Sequence, residues 1–204
     1  MGLPDLNLTV QLIAFRVLAL LMIAGVQGGI VAGAAVLLGD KGPKFDGRLT
    51  VVPASHIDPI GAISLILFGL GWAKPMAIDA RQFRIGSIGI VVVILTGFVG
   101  LLVTAAILVA LTLPALTALP HTAALTTAAF LRSASSLSIW FALLSLVPIP
   151  PLTGGLLLDA FGIRVSRQVQ WILAAPLLVA VATGLVRHLL GPAHAVLASV
   201  ILGQ

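Results

Sequence analysis

Residues 85–113 read IGSIGIVVVILTGFVGLLVTAAILVALTL, a run with no charged residue, no histidine and no proline. Crossing a bilayer as a helix takes about 20 consecutive apolar residues, and this run is longer. Its many Val and Ile side chains would also suit a strand. Strands rarely exceed about ten residues, however, so length decides for a helix. The segment marks the chain as a membrane protein, and the composition agrees. Of 204 residues, 60% are hydrophobic and 8% are charged, against about 25% charged in a soluble domain.

Upstream, residues 74–84 are polar. Residues 60–72 form an apolar stretch too short for a full crossing, which suits a re-entrant or broken segment. Residues 39–59 carry Asp40, Lys41, Lys44, Asp46, Arg48, His56 and Asp58, with Pro43, Pro53 and Pro59. They read as a polar interfacial loop in which residues 49–52 suit one arm of a small hairpin. Residues 10–38 form another apolar run with a single charge, Arg16, placed where it can snorkel to the interface. No basic stretch precedes this run, so it is expected to be a retained span and not a cleaved leader.

Downstream, Pro114 and Pro120 bracket an expected turn. Residues 123–146 are apolar around Arg132 and stop at a proline-rich break. Residues 152–161 resume the apolar pattern, Arg164 and Arg167 close it, and residues 169–190 read as the last full span before a short apolar tail. The expected fold is therefore all-α: one membrane domain over residues 1–204, a polytopic transmembrane helical bundle of about five spans, give or take one. Trp72 fits an interfacial anchor, Arg187 and His188 a snorkelling span end, and Asp159 a cap or ion pair near Arg164.

Several function classes fall away. High hydrophobicity excludes intrinsic disorder. With no Cys, there is no disulfide scaffold, no thiolate metal site and no cysteine nucleophile. All six acidic residues are Asp (5, 40, 46, 58, 79 and 159), so chemistry that needs a glutamate is closed to this chain alone. The net charge is +5, but the cations are scattered singly at the ends of apolar segments. That pattern fits lipid headgroups as partners and not nucleic acid. Ser133, Ser135, Ser136 and Ser138 lack a nucleophile elbow or a paired base, and serines in membrane helices ordinarily pack. Counting cations on either side of five crossings gives a tie and no orientation.

Three strings are more specific. The first is Gly39-Asp40, then Gly47-Arg48-Leu49-Thr50, then His56-Ile57-Asp58-Pro59-Ile60-Gly61. The second is Gly71-Trp72-Ala73-Lys74-Pro75. The third is Pro148-Ile149-Pro150-Pro151-Leu152-Thr153-Gly154-Gly155. In this order and spacing the chain resembles the site-2 protease family of intramembrane zinc metalloproteases, with residues 26–161 as the family-like core and the P-x-P-P-L string as a broken helix. The resemblance implies an H-E-x-x-H helix and a later L-D-G aspartate as metal ligands, with the glutamate as general base. The family spacing places H-E-x-x-H on residues 27–31, where this chain has Gln27, Gly28, Gly29, Ile30 and Val31. The L-D-G aspartate falls on Thr153 and the family asparagine on Ser145. The small A-G-P-x-x-N signature falls on Thr96 to Leu101 and is eroded. By that resemblance both histidines, the base and the third ligand are replaced, so no metal or other cofactor is expected.

Gly25, Gly29 and Gly33 form a G-x-x-x-G-x-x-x-G face, suited to close helix packing inside the bundle or to docking a partner. His56 and Asp58 read either as loop scaffolding or as a relic metal or proton site. Pro148–Gly155 is a structural break or a small-molecule groove, with its irregular backbone facing the bundle interior. The expected function is that of a non-catalytic relative: an accessory or assembly subunit in a bacterial inner membrane, binding lipids and a transmembrane protein partner. A metalloprotease with non-standard ligands and a lipid, pigment or quinone binder are the alternatives.

Overall fold

The computed structural model describes residues 8–163 and 165–203, and every regular element in them is helical. Helix α1 spans Val10–Leu38. Thr9 caps its start by accepting the Leu12 N–H at 3.1 Å. At 1.5 Å per residue, 29 residues reach about 43 Å, more than the ~30 Å hydrocarbon core. After a single turn, α2 (Gly42–Phe45), the chain enters α3 (Pro59–Phe68). The uncharged run becomes α4 (Ile88–Ala110), continued by α5 (Thr112–Ala118). Then follow α6 (His121–Leu146), the short α7 (Leu156–Ala160), α8 (Arg167–Ala182) and α9 (Leu185–Leu202). Among the described residues, four helices are long and apolar enough to cross a membrane: Val10–Leu38, Ile88–Ala118, His121–Leu146 and Leu185–Leu202. Two shorter apolar helices accompany them.

α4 shows why this is a membrane bundle. Its inner face buries Ile90, Val93, Ile94, Leu101, Ala105 and Leu108 against α1 and α6. Its outer face carries Ile88, Val92, Leu95, Val99, Val103 and Ile107, all exposed, at helical spacing. A helix apolar all round belongs in lipid. The main core joins Ala19, Leu20, Ile23 and Ala24 of α1 with Leu65 of α3, Leu101 and Leu108 of α4, and Leu131, Ala134, Leu137 and Phe141 of α6.

The segment between α1 and α4 is a re-entrant excursion along α1. Asp58 caps α3, accepting the Gly61 N–H at 2.8 Å, and Pro59 fills the first helical position. The helix ends after ten residues at Gly69, whose left-handed φ of 72° reverses the chain. Residues 70–74 then return in extended form. Ala73 forms an antiparallel bridge with Ile57, and the Lys74 N–H donates to the His56 carbonyl at 2.7 Å.

Four expectations change. Residues 49–52 form no strand; the loop drops instead onto the glycine face of α1. Pro114 does not break the chain, because it falls in the first turn of α5, where its missing N–H is harmless; the break comes at Leu119-Pro120. The last apolar stretch is two helices, α8 and α9, divided at Gly184 with φ 76°. Trp72 is buried and is no interfacial anchor. Arg164 and the Asp159 side chain lie outside the described residues.

The three glycines of the G-x-x-x-G-x-x-x-G face, Gly25, Gly29 and Gly33, divide between two roles. A Cβ on Gly25 would overlap the Val51 carbonyl, and one on Gly29 would lie 3.1 Å from the Thr50 carbonyl oxygen; Gly33 faces open space. The face therefore receives a loop and not a second helix. Gly25→Ala is expected to destabilise the fold by about 1–3 kcal/mol through overpacking. Gly33→Ala should be neutral or stabilising by up to about 1 kcal/mol, because alanine is the better helix former. Thermal unfolding of the two variants in detergent checks the contrast.

Candidate functional site

The three sequence strings meet in space. Arg48 donates from Nη2 to the Lys74 carbonyl at 3.0 Å, and His56 Nε2 bonds the Thr50 carbonyl at 2.8 Å. With the Lys74–His56 backbone bond, these contacts tie the first string to the second. Gly61 and Gly71 allow the crossing: a Cβ on Gly61 would overlap the Trp72 carbonyl, and one on Gly71 the Gly61 carbonyl. Asp40, almost fully buried, accepts the N–H groups of Gly42 and Asp79, both at 2.8 Å, and so holds the two loops together at their upper end. Sequence reasoning assigned Asp40 no role beyond the motif. Its position after the glycine that ends α1 was the available signal.

The third string closes the site. α6 stops at Val147, the chain turns through Pro148 and a cis Pro150–Pro151 bond, and Thr153–Gly155 form one tight turn before α7. Gly154 and Gly155 fold back onto the backbone of residues 146–150, where a Cβ on Gly154 would overlap the Val147 carbonyl. This turn brings Thr153 Oγ1 to 3.5 Å from Gln27 Nε2 across 126 residues of sequence. Val31, one turn on along α1, is buried against Gly97 of α4. Gln27, Gly28, Val31 and Thr153 all line one cavity of about 1410 Å³, whose wall also includes Pro150, Pro151, Lys74, Pro75 and Asp58. Asp40, Asp46, Arg48, Asp79 and Arg81 complete a polar lining of both signs.

The chemistry around Gln27 and Gly28 is specific. Gln27 is 2% exposed and its Oε1 has no partner. Exchanging the amide O and N would only move the deficit to nitrogen, since Thr153 Oγ1 can satisfy one of the two. His56 is fully buried. The Thr50 carbonyl can only accept, so Nε2 carries the proton and Nδ1 presents a bare lone pair, which finds no donor. The ring lies against Gly28, where a Cβ would overlap Nδ1 and Cγ. The imidazole thus fills the volume that any side chain at residue 28 would need.

Gln27 and Thr153 meet with an amide and a hydroxyl, and Val31 lines the same cavity with an isopropyl group. Zn²⁺ draws its protein ligands from Cys, His, Asp and Glu, so this set does not fit the ion. Among the described residues no three His or Asp side chains stand close enough to share a metal. His56 adds one imidazole, turned toward Gly28.

Over 123 residues, 59% of this chain and 56% of the relative, the sequence is 34% identical to a Bacillus subtilis (strain 168) protein named "Putative zinc metalloprotease YwhC". The chain therefore spans little more than half the length of the curated relative it matches. No family model and no solved structure matches it. The similarity to a protein named as a zinc metalloprotease stands beside the resemblance of the three strings to site-2 proteases.

Burial pushes the His56 imidazole below its ordinary 6.5, with the nearby Arg48 charge acting the same way against the hydrogen bond to Thr50. The folded protein then binds this proton more weakly than the unfolded chain. Its stabilising contribution is complete above about pH 6.5 and is lost as pH falls through the depressed folded value. Thermal midpoints measured from pH 7.5 down to 5.5 should fall in the native protein. His56→Gln, which keeps a donor for Thr50 but cannot titrate, should give a flatter profile.

Proposed function

We propose that this chain is a non-catalytic member of the site-2-protease-like membrane proteins, which uses its cavity to hold a transmembrane segment of a partner within a larger membrane complex. One observation carries the reading: Gln27 and Thr153 meet at 3.5 Å beside a cavity that Val31 also lines, and the three offer an amide, a hydroxyl and an aliphatic group. Two more support it. The His56 ring occupies the space of any base at residue 28, and the cavity wall combines irregular backbone around Pro150 and Pro75 with apolar side chains such as Met76, Ile78 and Leu156. The bacterial inner membrane is the proposed location.

The second reading, a working metalloprotease with rewired ligands, is favoured by the name of the relative. Two measurements separate the two. Protein purified gently from native membranes should contain zinc far below one ion per chain and should not cleave a synthetic transmembrane peptide in a chelator-sensitive way. Stoichiometric zinc, or cleavage that a chelator abolishes, overturns the proposal. A photo-crosslinking residue at Met76, on the cavity wall, should capture a membrane protein through an apolar segment.

The juxtaposition of these positions has its own check. The variant Gln27→His/Val31→His/Thr153→Asp should gain about one zinc per chain, since two imidazoles four residues apart on a helix then face an aspartate. Failure of a folded variant to gain zinc would show that the three positions do not form a ligand set.

A further inference from the structure

Away from the cavity, two arginines from distant parts of the chain meet at the C-terminal end of α3. Arg16 of α1 donates from Nη1 to the Ile66 carbonyl at 2.6 Å and to the Leu67 carbonyl at 2.9 Å. Arg187 of α9 donates from Nη2 to the Phe68 carbonyl at 2.8 Å. Neither behaves as the free interfacial anchor its place in the sequence suggests. The Nη2 atoms of Arg187 and Arg16 lie 2.9 and 3.2 Å from the point a Cβ on Gly69 would occupy, so these nitrogens are at most about 6 Å apart.

The arrangement is rigid and electrostatically incomplete. The Arg187 guanidinium lies over the Trp140 ring at 5.3 Å, and Trp140 stacks on His194 at 4.2 Å and 11°. Each guanidinium carries five N–H groups. The carbonyl contacts leave Nε and Nη2 of Arg16, and Nε and Nη1 of Arg187, without a partner among the described residues. The end of a helix supplies about half a negative charge, against two full positive charges. The described carboxylates give no help, because Asp40, Asp46, Asp58 and Asp79 all line the cavity.

We propose that Arg16 and Arg187 form a binding site for a phosphate-bearing anion, supplied by the headgroup of an acidic phospholipid. A phosphate suits this pair: Arg16 keeps its Nε/Nη2 fork for two of the oxygens, and Arg187 adds its charge and the N–H groups that the Phe68 bond leaves over. Ile63 and Leu67 on α3, with Leu185 and Leu189 on α9, are exposed apolar residues on the same two helices and give acyl chains a surface. Inorganic phosphate would leave that surface unused, which favours the lipid source.

The test compares lipids on the intact protein. Protein equilibrated with equimolar phosphatidylglycerol and phosphatidylcholine, then analysed by native mass spectrometry, should retain one phosphatidylglycerol, enriched about tenfold over phosphatidylcholine. Arg16→Gln/Arg187→Gln should bring the ratio to parity. Inorganic phosphate added to protein in phosphatidylcholine alone should neither bind nor raise the thermal midpoint. Parity in the native protein, or unchanged enrichment in the double variant, overturns the site. Arginine-dependent binding of inorganic phosphate without lipid enrichment overturns the lipid source. Should the double variant fail to fold, Arg16→Lys keeps the charge without the fork and should lower the enrichment. The native-protein comparison decides without any variant.

Discussion

Backbone that leaves a helix against the buried face of another is cut off from water, so its N–H and C=O groups must find partners in the protein. Much of this structure answers that constraint. Residues 47–61 and 70–75 leave the helices beside the middle of α1 and resolve their polar groups against each other. Lys74 N–H donates to His56 C=O, Arg48 to Lys74 C=O, and His56 to Thr50 C=O. Glycine is required where these paths touch, because Gly25 meets the Val51 carbonyl, Gly61 that of Trp72 and Gly71 that of Gly61. The end of α3 is settled by the same rule, through two arginines that supply the donors its last carbonyls lack.

This explains which parts of the fold were legible. Hydropathy sees whether twenty residues can lie in lipid, so α1, α4 and α6 were readable from composition. It does not see where a φ angle turns positive, and so the division at Gly184 was invisible. Pro114 misleads because the penalty for proline depends on its place within a helix, and a first-turn proline breaks nothing. Trp72 reads as an interfacial anchor in the sequence because its packing partners, Trp140, Leu144 and Leu152, lie far away along the chain; the carbonyls of residues 66–68 that Arg16 and Arg187 bond are hidden from the sequence for the same reason.

The candidate site was legible in a different way. Composition alone says nothing of positions 27, 31 and 153; the resemblance of the three strings singles them out. The structure brings Gln27 to Thr153 and sets Val31 on the same cavity wall. The close packing of the His56 ring on Gly28 was not readable. His56 was recognised as a polar residue of the loop, but the depth to which that loop descends is a tertiary fact.

That packing also sets how residue 28 tolerates change. A side chain there would meet a filled space, and admitting it would need the loop to withdraw at the same time. Residue 28 and the loop can therefore vary only together, as one mechanical unit.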